Sequence, residues 1–309
     1  MYLEHFGLST QPFGITPDTG FYFESPSHQE ALNVLLVALR GGAGFLKLTG
    51  EVGTGKTLLC RRLLNLLDGE FVTAYIPNPL LTPAALRMAL AEELGIRCAR
   101  NIGQHRLLKL ITERLVELNA DGRRVVLLLD EAQALPDDTL EALRLLTNLE
   151  TEKDKLLLVV LFGQPELDER LSQPRFRQLR QRILFAHRLR PLSAEECAAY
   201  LQHRLAVAGG GGRRLFDAGA LKRLARASRG IPRLLNILAH KALMAAFGQG
   251  LAQAGRREVR AAVADTEGAA PLNGPFAAGR PWVVAWRLGA LGTAATLAGI
   301  GLALLGPQA

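Results

Sequence analysis

The chain has 309 residues, three cysteines and a formal net charge of +8. That length allows one large or two modest domains with a real core, and the scattered Cys60, Cys98 and Cys197 exclude a disulfide framework or a metal-ligand spacing and favour a reducing, cytosolic compartment. The charge, with a sequence pI near 9.8, leaves two readings open, contact with nucleic acid or acidic lipid and an arginine-rich but solvated surface, although no basic run is interleaved with aromatics as a single-strand binder requires.

The N-terminal MYLEHFGLST has no charged region followed by an apolar stretch, so no cleavable secretory signal is expected. A helical pattern follows over His28–Leu39. Gly44–Thr49 then reads as a short buried strand. It leads into Gly50-Glu51-Val52-Gly53-Thr54-Gly55-Lys56-Thr57, and Thr57–Leu67 reads as a helix without a breaker. This is the G-x-x-x-x-G-K-[ST] phosphate loop in the strand–loop–helix context its chemistry needs. Glycines let backbone N–H groups turn inward around a polyphosphate, the lysine reaches the terminal phosphates, and the Thr hydroxyl can ligate Mg²⁺. The helix N-terminus adds its positive dipole end. Residues Gly50, Glu51, Val52, Gly53, Thr54, Gly55, Lys56, Thr57 and Leu58 are therefore the expected nucleotide-binding segment. An ordinary tight turn would explain the glycines but not the adjoining Lys-Thr.

Strand-like runs continue at Phe71–Ile76, Arg124–Leu129, Leu156–Phe162 and near Ile183–His187, alternating with helical patterns at Pro83–Leu94, His105–Asn119 and Asp137–Glu150. Such alternation predicts a parallel sheet of five strands covered on both faces. The third strand ends in Asp130-Glu131. Five apolar residues ahead of that pair imply burial on both faces, and acids at the carboxyl end of such a strand sit where open α/β sheets bind ligands. The first can hold the Mg²⁺ shell and the second can polarise an attacking water. After the fourth strand, Gln164 could orient that water through its amide or simply serve a turn.

Arg175, Arg177, Arg180 and Arg182 crowd the stretch before the fifth strand, and Gly230-Ile231-Pro232-Arg233 opens a later helix with Pro in its first turn. Phosphoryl transfer to water gains from a cation on the γ-phosphate. An arginine before the last strand can reach a neighbouring subunit's nucleotide, and one at a helix start can reach its own. For any single one of the four, a solvated basic face is the competing reading. Ser193-Ala-Glu-Glu196 is a capping box, and the sequence to Asp265 reads as helical, broken at Gly209–Gly212. Asp265–Pro281 has a linker's composition. In Val283–Leu305 the only charge is Arg287. The uncharged Leu288–Leu305 would give roughly 27 Å of helix, close to a bilayer core. Trp282 and Trp286 at its start and the arginines before it predict a cytoplasmic body with a single-pass C-terminus. A buried core helix or a tail packed on a partner are the alternatives.

Together these motifs resemble an AAA+ ATPase. HFGLSTQPFGITPDTGFYFESPSHQEAL, LTGEVGTGKT, DEAQAL, FGQPEL, LRQRI and GIPRLLN follow one another as in the ExeA-type (GspA-type) ATPases of secretion and pilus biogenesis. MYLEHFGLS and YIPNPLLTPAALRMALAEELGI look closest to the MSHA pilus branch. The resemblance covers Met1 to about Asp265. It implies a P-loop domain over residues 41–190 with an adenine-side segment at 1–40, a helical lid at 191–265, a linker at 266–281 and a candidate membrane helix at 282–305. It further implies ATP and Mg²⁺ as ligands, with Lys56 and Thr57 on phosphates and metal, Asp130 supporting the metal and Glu131 activating water. Gln164 would be the sensor-one residue and Arg233 the sensor-two residue. Arg182 would be the arginine finger of a homo-oligomer, with Arg180 second. The Pro12–His28 region would close over the adenine, with His28 either taking part or capping the helix that follows Ser27. Secretion members carry a long periplasmic part after the membrane helix. Here four residues follow Leu305, so direct peptidoglycan contact is not expected and a membrane partner is. The expected setting is assembly of a type IV (MSHA-type) pilus or a type II secretion machine at the bacterial inner membrane, and nucleic acid is not an expected partner. Two rivals are a DNA-acting AAA+ ATPase of the transposition-regulator type and a slow nucleotide-switched scaffold.

Overall fold

The computed structural model describes residues 2–99, 101–151 and 154–272. Its sheet consists of β1 (Phe45–Thr49), β2 (Phe71–Ile76), β3 (Arg124–Leu129), β4 (Leu157–Gly163) and β5 (Phe185–Arg188), all parallel and ordered β2-β3-β4-β1-β5. The inner strands β3 and β4 are continuous aliphatic runs because both of their faces are covered. Val125, Leu127, Leu129, Leu157, Val159 and Leu161 enter one core, and Val126, Leu128, Leu158, Val160 and Phe162 enter the other, the two-residue alternation of a pleated strand. Each such side chain contributes about 1.5–3 kcal/mol of burial.

Before the sheet and along it run α1 (Tyr2–Phe6), α2 (Pro26–Arg40), α3 (Lys56–Leu67), α4 (Pro83–Glu93), α5 (Gln104–Ala120), α6 (Asp137–Leu146), α7 (Pro165–Ser172) and α8 (Arg177–Arg182). The helices α2 and α3 cover one face, whereas α4 through α8 cover the other. In α5, Leu107, Ile111, Leu115 and Leu118 recur at helical spacing and are the residues it buries. The helix α6 ends at Leu146 rather than at Glu150. Thr147 turns its hydroxyl onto the Arg144 carbonyl (2.8 Å), and Glu150 forms an antiparallel bridge with Lys155. The helices α7 and α8 were not evident in the sequence pattern, being short and dense in charge.

Four further helices follow: α9 (Ala194–Val207), α10 (Ala218–Ser228), α11 (Pro232–Gly248) and α12 (Arg256–Ala264). The capping box is formed in both directions, with the Ser193 hydroxyl accepting from the Glu196 N–H (3.1 Å) and the Glu196 carboxylate accepting from the Ser193 N–H (2.6 Å). The core of these helices includes Phe6, Leu8 and Phe13. The segment from Tyr2 to Phe13 thus packs with the helical layer, while α2 packs with the sheet. The described part of the expected linker packs there too: Ala269 and Leu272 lie against the same core, and the Ala270 N–H donates to the Ala227 carbonyl (2.8 Å). The expected apolar helix at 282–305 lies outside the described residues. Among the described residues, no helix is long and apolar enough to cross a membrane.

The strand order sets up the site. Because β4 lies between β1 and β3, the loops leaving all three strands meet at one sheet edge, beside the point where the chain leaves β1 for the far side of the sheet.

Candidate nucleotide-binding site

The loop after β1 depends on two glycines in left-handed backbone, Gly53 (φ 82°) and Gly55 (φ 97°). A Cβ on Gly53 would lie 2.6 Å from the Arg233 Cβ, and one on Gly55 would lie 3.0 Å from the His28 ring. The absent side chains therefore also allow α11 and α2 to approach the loop. The Arg233 N–H donates to the Gly53 carbonyl (3.2 Å). His28 Nε2 lies 2.9 Å from the Thr54 carbonyl, so that nitrogen carries the proton. The His28 ring stacks on Tyr22 with centroids 6.0 Å apart. The cap of α2 is Ser25, which accepts from the His28 N–H. His28 is thus not the cap of that helix but a buried brace on the phosphate loop.

Lys56, the first residue of α3, is buried and turns back on the loop. Its Nζ donates to the carbonyls of Gly50 (2.7 Å) and Glu51 (3.0 Å). Burial lowers its pKa, and the carboxylates of Glu131, Asp130 and Glu51 oppose that shift. The Thr54 hydroxyl donates to the Glu51 carbonyl (2.8 Å), and Arg188 reaches the Glu51 carboxylate (3.3 Å) at the exposed edge. Val52 is exposed, and Val52, Thr57 and Leu58 line the cleft mouth.

At the end of β3, Asp130 is only 2% exposed. Its Oδ1 accepts from the Glu131 N–H (2.9 Å). Burial raises its pKa, and the Thr57 hydroxyl and the Glu131 amide pull in the other direction. Glu131 itself sits in left-handed backbone (φ 52°), an uncommon position for a residue with a Cβ. Its Oε2 accepts from Gln164 Nε2 (3.1 Å) and from Gln133 Nε2 (2.5 Å). Sequence spacing singled out Gln164 and missed Gln133. The only signal for Gln133 was its place two residues beyond Glu131.

Lys56, Thr57, Glu131, Gln164 and Arg233 all line one cleft of about 190 Å³, which the segment Gly14–Asp18 closes on the far side. A second cavity of about 650 Å³ adjoins it, sharing Gly14, Thr16, Pro17, Asp18 and Arg204 and bounded by Arg61 and Asn65 of α3. Arg204, also missed, is buried in α9. It donates to the Pro12 carbonyl and to the Tyr200 hydroxyl (3.1 Å), and its guanidinium lies 4.6 Å from the Phe21 ring centre. It ties the N-terminal segment to the helical layer. Arg182 is not brought to this cleft. It ends α8 and donates to the Thr147 hydroxyl (3.4 Å), while Arg180 donates to the Ser172 carbonyl (3.2 Å).

The residues fit a magnesium nucleotide. Asp130 makes no salt bridge among the described residues, is costly to ionise where it lies, and has the Thr57 hydroxyl beside it: a hard-oxygen pair of the kind Mg²⁺ takes. Lys56 is a buried cation whose hydrogen bonds, among the described residues, go to the neutral carbonyls of Gly50 and Glu51. The N-cap of α3, Gly55, has no side chain to cap the helix, so this helix N-terminus is open to an anion at the cleft that Gly55, Lys56 and Thr57 line.

The sequence pattern of the AAA domain family matches residues 39–171. Over 250 residues the chain is 48% identical to general secretion pathway protein A of Aeromonas hydrophila; the match covers 81% of this chain and 46% of that protein, so the chain spans less than half of its relative's length. Among solved structures it is similar to Cdc6p of Pyrobaculum aerophilum (TM-score 0.61, 21% identity, covering 79% of this chain and 70% of that one). It is also similar to the Aeropyrum pernix ORC1 protein in complex with DNA (TM-score 0.60, 21% identity, covering 82% and 69%). At these identities the structures speak for the fold.

Proposed function

We propose, on the premise that this chain belongs to the AAA proteins of the general secretion pathway protein A type, that it is an Mg²⁺-dependent ATPase working as a homo-oligomer. The observation that carries the reading is the convergence of Lys56, Thr57, Glu131, Gln164 and Arg233 on one cleft, with Asp130 buried beneath it. Lys56 and the loop from Gly50 to Leu58 hold the phosphates. Thr57 and Asp130 would hold Mg²⁺, which when bound would supply Lewis-acid withdrawal of charge from the phosphate oxygens. Glu131 takes a proton from water as the water oxygen bonds to the γ-phosphorus and the bond to the ADP oxygen breaks. Gln164 orients that water, Arg233 offsets negative charge from the same chain, and Arg182 does so from a neighbouring copy. The domain limits that go with this reading are a P-loop domain at 41–190 and a lid at 191–265.

The work done by hydrolysis serves assembly of a type II secretion apparatus or a type IV pilus of the MSHA kind, with the segment 282–305 spanning the inner membrane and a membrane partner receiving the output. Two substitutions test the chemistry. Lys56→Ala abolishes binding of a fluorescent ATP analogue, and Glu131→Gln keeps binding but stops turnover. Hydrolysis at the wild-type rate by Glu131→Gln would make the water-activating assignment wrong. Release of the protein from membranes by carbonate would defeat the spanning segment.

A second reading, action on DNA, draws on the exposed Arg256, Arg257 and Arg260 of α12 and on the likeness to the Aeropyrum pernix ORC1 protein in complex with DNA. Salt-sensitive binding of duplex DNA by the full chain would favour it.

A further inference from the structure

Glu131 is more constrained than a strand-end acid needs to be. Its left-handed backbone directs the carboxylate into the cleft, and both amides that meet it donate to the same oxygen, Oε2. The two donors are themselves linked, because Gln133 Oε1 accepts the backbone N–H of Gln164 (3.0 Å). The orientation of the Gln133 amide is thereby fixed from both ends, nitrogen to Glu131 and oxygen to the start of α7. Gly163, at the end of β4, lets Leu167 of α7 pack close beside this link, since a Cβ there would lie 2.7 Å from the Leu167 side chain. The turn carrying Gln133 is pinned from below. Arg170 of α7 donates to the carbonyls of Gln133 (2.7 Å) and Leu135 (2.7 Å) and pairs with Asp137 (2.5 Å).

We propose that Gln133 is the positioning residue of the hydrolytic step: with Gln164 it clamps Glu131 Oε2, so that Oε1 is the oxygen presented to the attacking water. The proposal rests on the ATPase reading above. An amide is the side chain suited to the task. It donates to the carboxylate without a charge that would compete for the proton, and it accepts from the β4 end at the same time. With both donors on one oxygen, the other keeps both of its lone pairs free to take a proton. Arg170 acts one step further out, by holding the turn.

The test measures nucleotide affinity and single-turnover rate in Gln133→Ala, in Glu131→Gln and in the double variant, with melting temperature followed in parallel. Gln133→Ala is expected to keep nucleotide affinity within about twofold and to lower kcat by about 10- to 100-fold, the scale of a misplaced catalytic group. In the Glu131→Gln background the same substitution is expected to change the residual rate less than about twofold, because it acts through Glu131. A general loss of folding would instead lower binding and melting temperature in both backgrounds, and that would overturn the proposal. So would an unchanged or raised kcat in Gln133→Ala, the latter meaning that the clamp restrains Glu131. Gln133→Asn, too short to bridge both partners, is the second variant and should match Gln133→Ala in rate. If Glu131→Gln itself turns over at the wild-type rate, the water-activating role of Glu131 fails and the role of Gln133 fails with it; if the wild type hydrolyses no ATP, the ATPase reading fails. If Glu131→Gln is inactive while Gln133→Ala is normal, only the role of Gln133 fails.

Discussion

Arg233 and Arg182 are both arginines expected to meet a nucleotide, the first in its own chain and the second in a neighbouring copy, and the fold treats them in opposite ways. Arg233 is built into its own chain's cleft. Its N–H holds the Gly53 carbonyl, and the Gly53 backbone has given up a Cβ to let it approach. Arg182 ends a short helix on the other side of the sheet from α3, and among the described residues its hydrogen bond is to a threonine hydroxyl at 3.4 Å, a weak contact. Its neighbours are engaged locally: Arg175 and Arg170 share Asp137, and Arg180 caps a carbonyl of α7. One arginine is thus committed within the chain, whereas the other has little to lose by engaging elsewhere.

If Arg182 completes the site of a neighbouring copy, its loss has the largest effect of any arginine. Arg182→Ala should lower kcat by about 10³-fold, the scale of an arginine finger, with nucleotide affinity unchanged. Mixing it with Glu131→Gln should restore part of the activity, because the second protein supplies the missing arginine and the first an intact Glu131. ATPase rates across a range of mixing ratios check this, and a mixture no faster than its parts would return Arg182 to the solvated-face reading.

Arg233→Ala should act inside a single chain. Loss of one charge-assisted contact costs about 1.5–3 kcal/mol, so nucleotide affinity should fall by about 10- to 100-fold at every protein concentration. Titration of an ATP analogue into dilute and concentrated protein separates the two arginines. A deficit that vanished on concentrating the protein would place Arg233 in the same class as Arg182. Arg180→Ala, the second candidate for the finger, should be close to neutral when Arg182 is intact.

The same contrast explains what the sequence made legible. Local chemistry was readable: the glycine loop, the apolar run ending in Asp130-Glu131 and the Ser193 capping box are each complete within a few residues. The sheet followed from β3 and β4 because strands buried on both faces cannot hide their composition. The two-amide clamp on Glu131 was not readable, because Gln133 acquires its meaning only when β4 brings Gln164 beside it, 31 residues away. Arg204 was hidden for a similar reason. An arginine on a helix normally snorkels to water, and this one is buried only because Pro12 and Phe21 return from a distant part of the chain. Phe6, Leu8 and Phe13 belong to the segment 1–40 that the family resemblance assigns to the adenine side. Their core partners are α9 to α12, which no local pattern could specify.

The smallest effect concerns the brace between α2 and the loop, a feature the α8 arginines lack. His28 is buried, and burial outweighs the bonds to backbone and the carboxylate of Glu196 in setting its proton affinity, so its pKa lies below the ordinary histidine value. A depressed pKa means that the unfolded chain binds the proton more readily than the folded one. Its stabilising contribution is therefore complete above pH of about 6.5 and is lost as the pH falls from there toward the folded value. His240, also lowered by burial, adds to the same trend. The melting temperature of the wild type should accordingly decline between about pH 7 and pH 5.5, and His28→Gln should show a shallower decline whatever its starting stability, because the slope and not the absolute value reports the titration. Parallel slopes for the two proteins would mean that protonation of His28 does not differ between the folded and unfolded chains, and the hydrogen bond that holds Thr54 would then be independent of pH in this range.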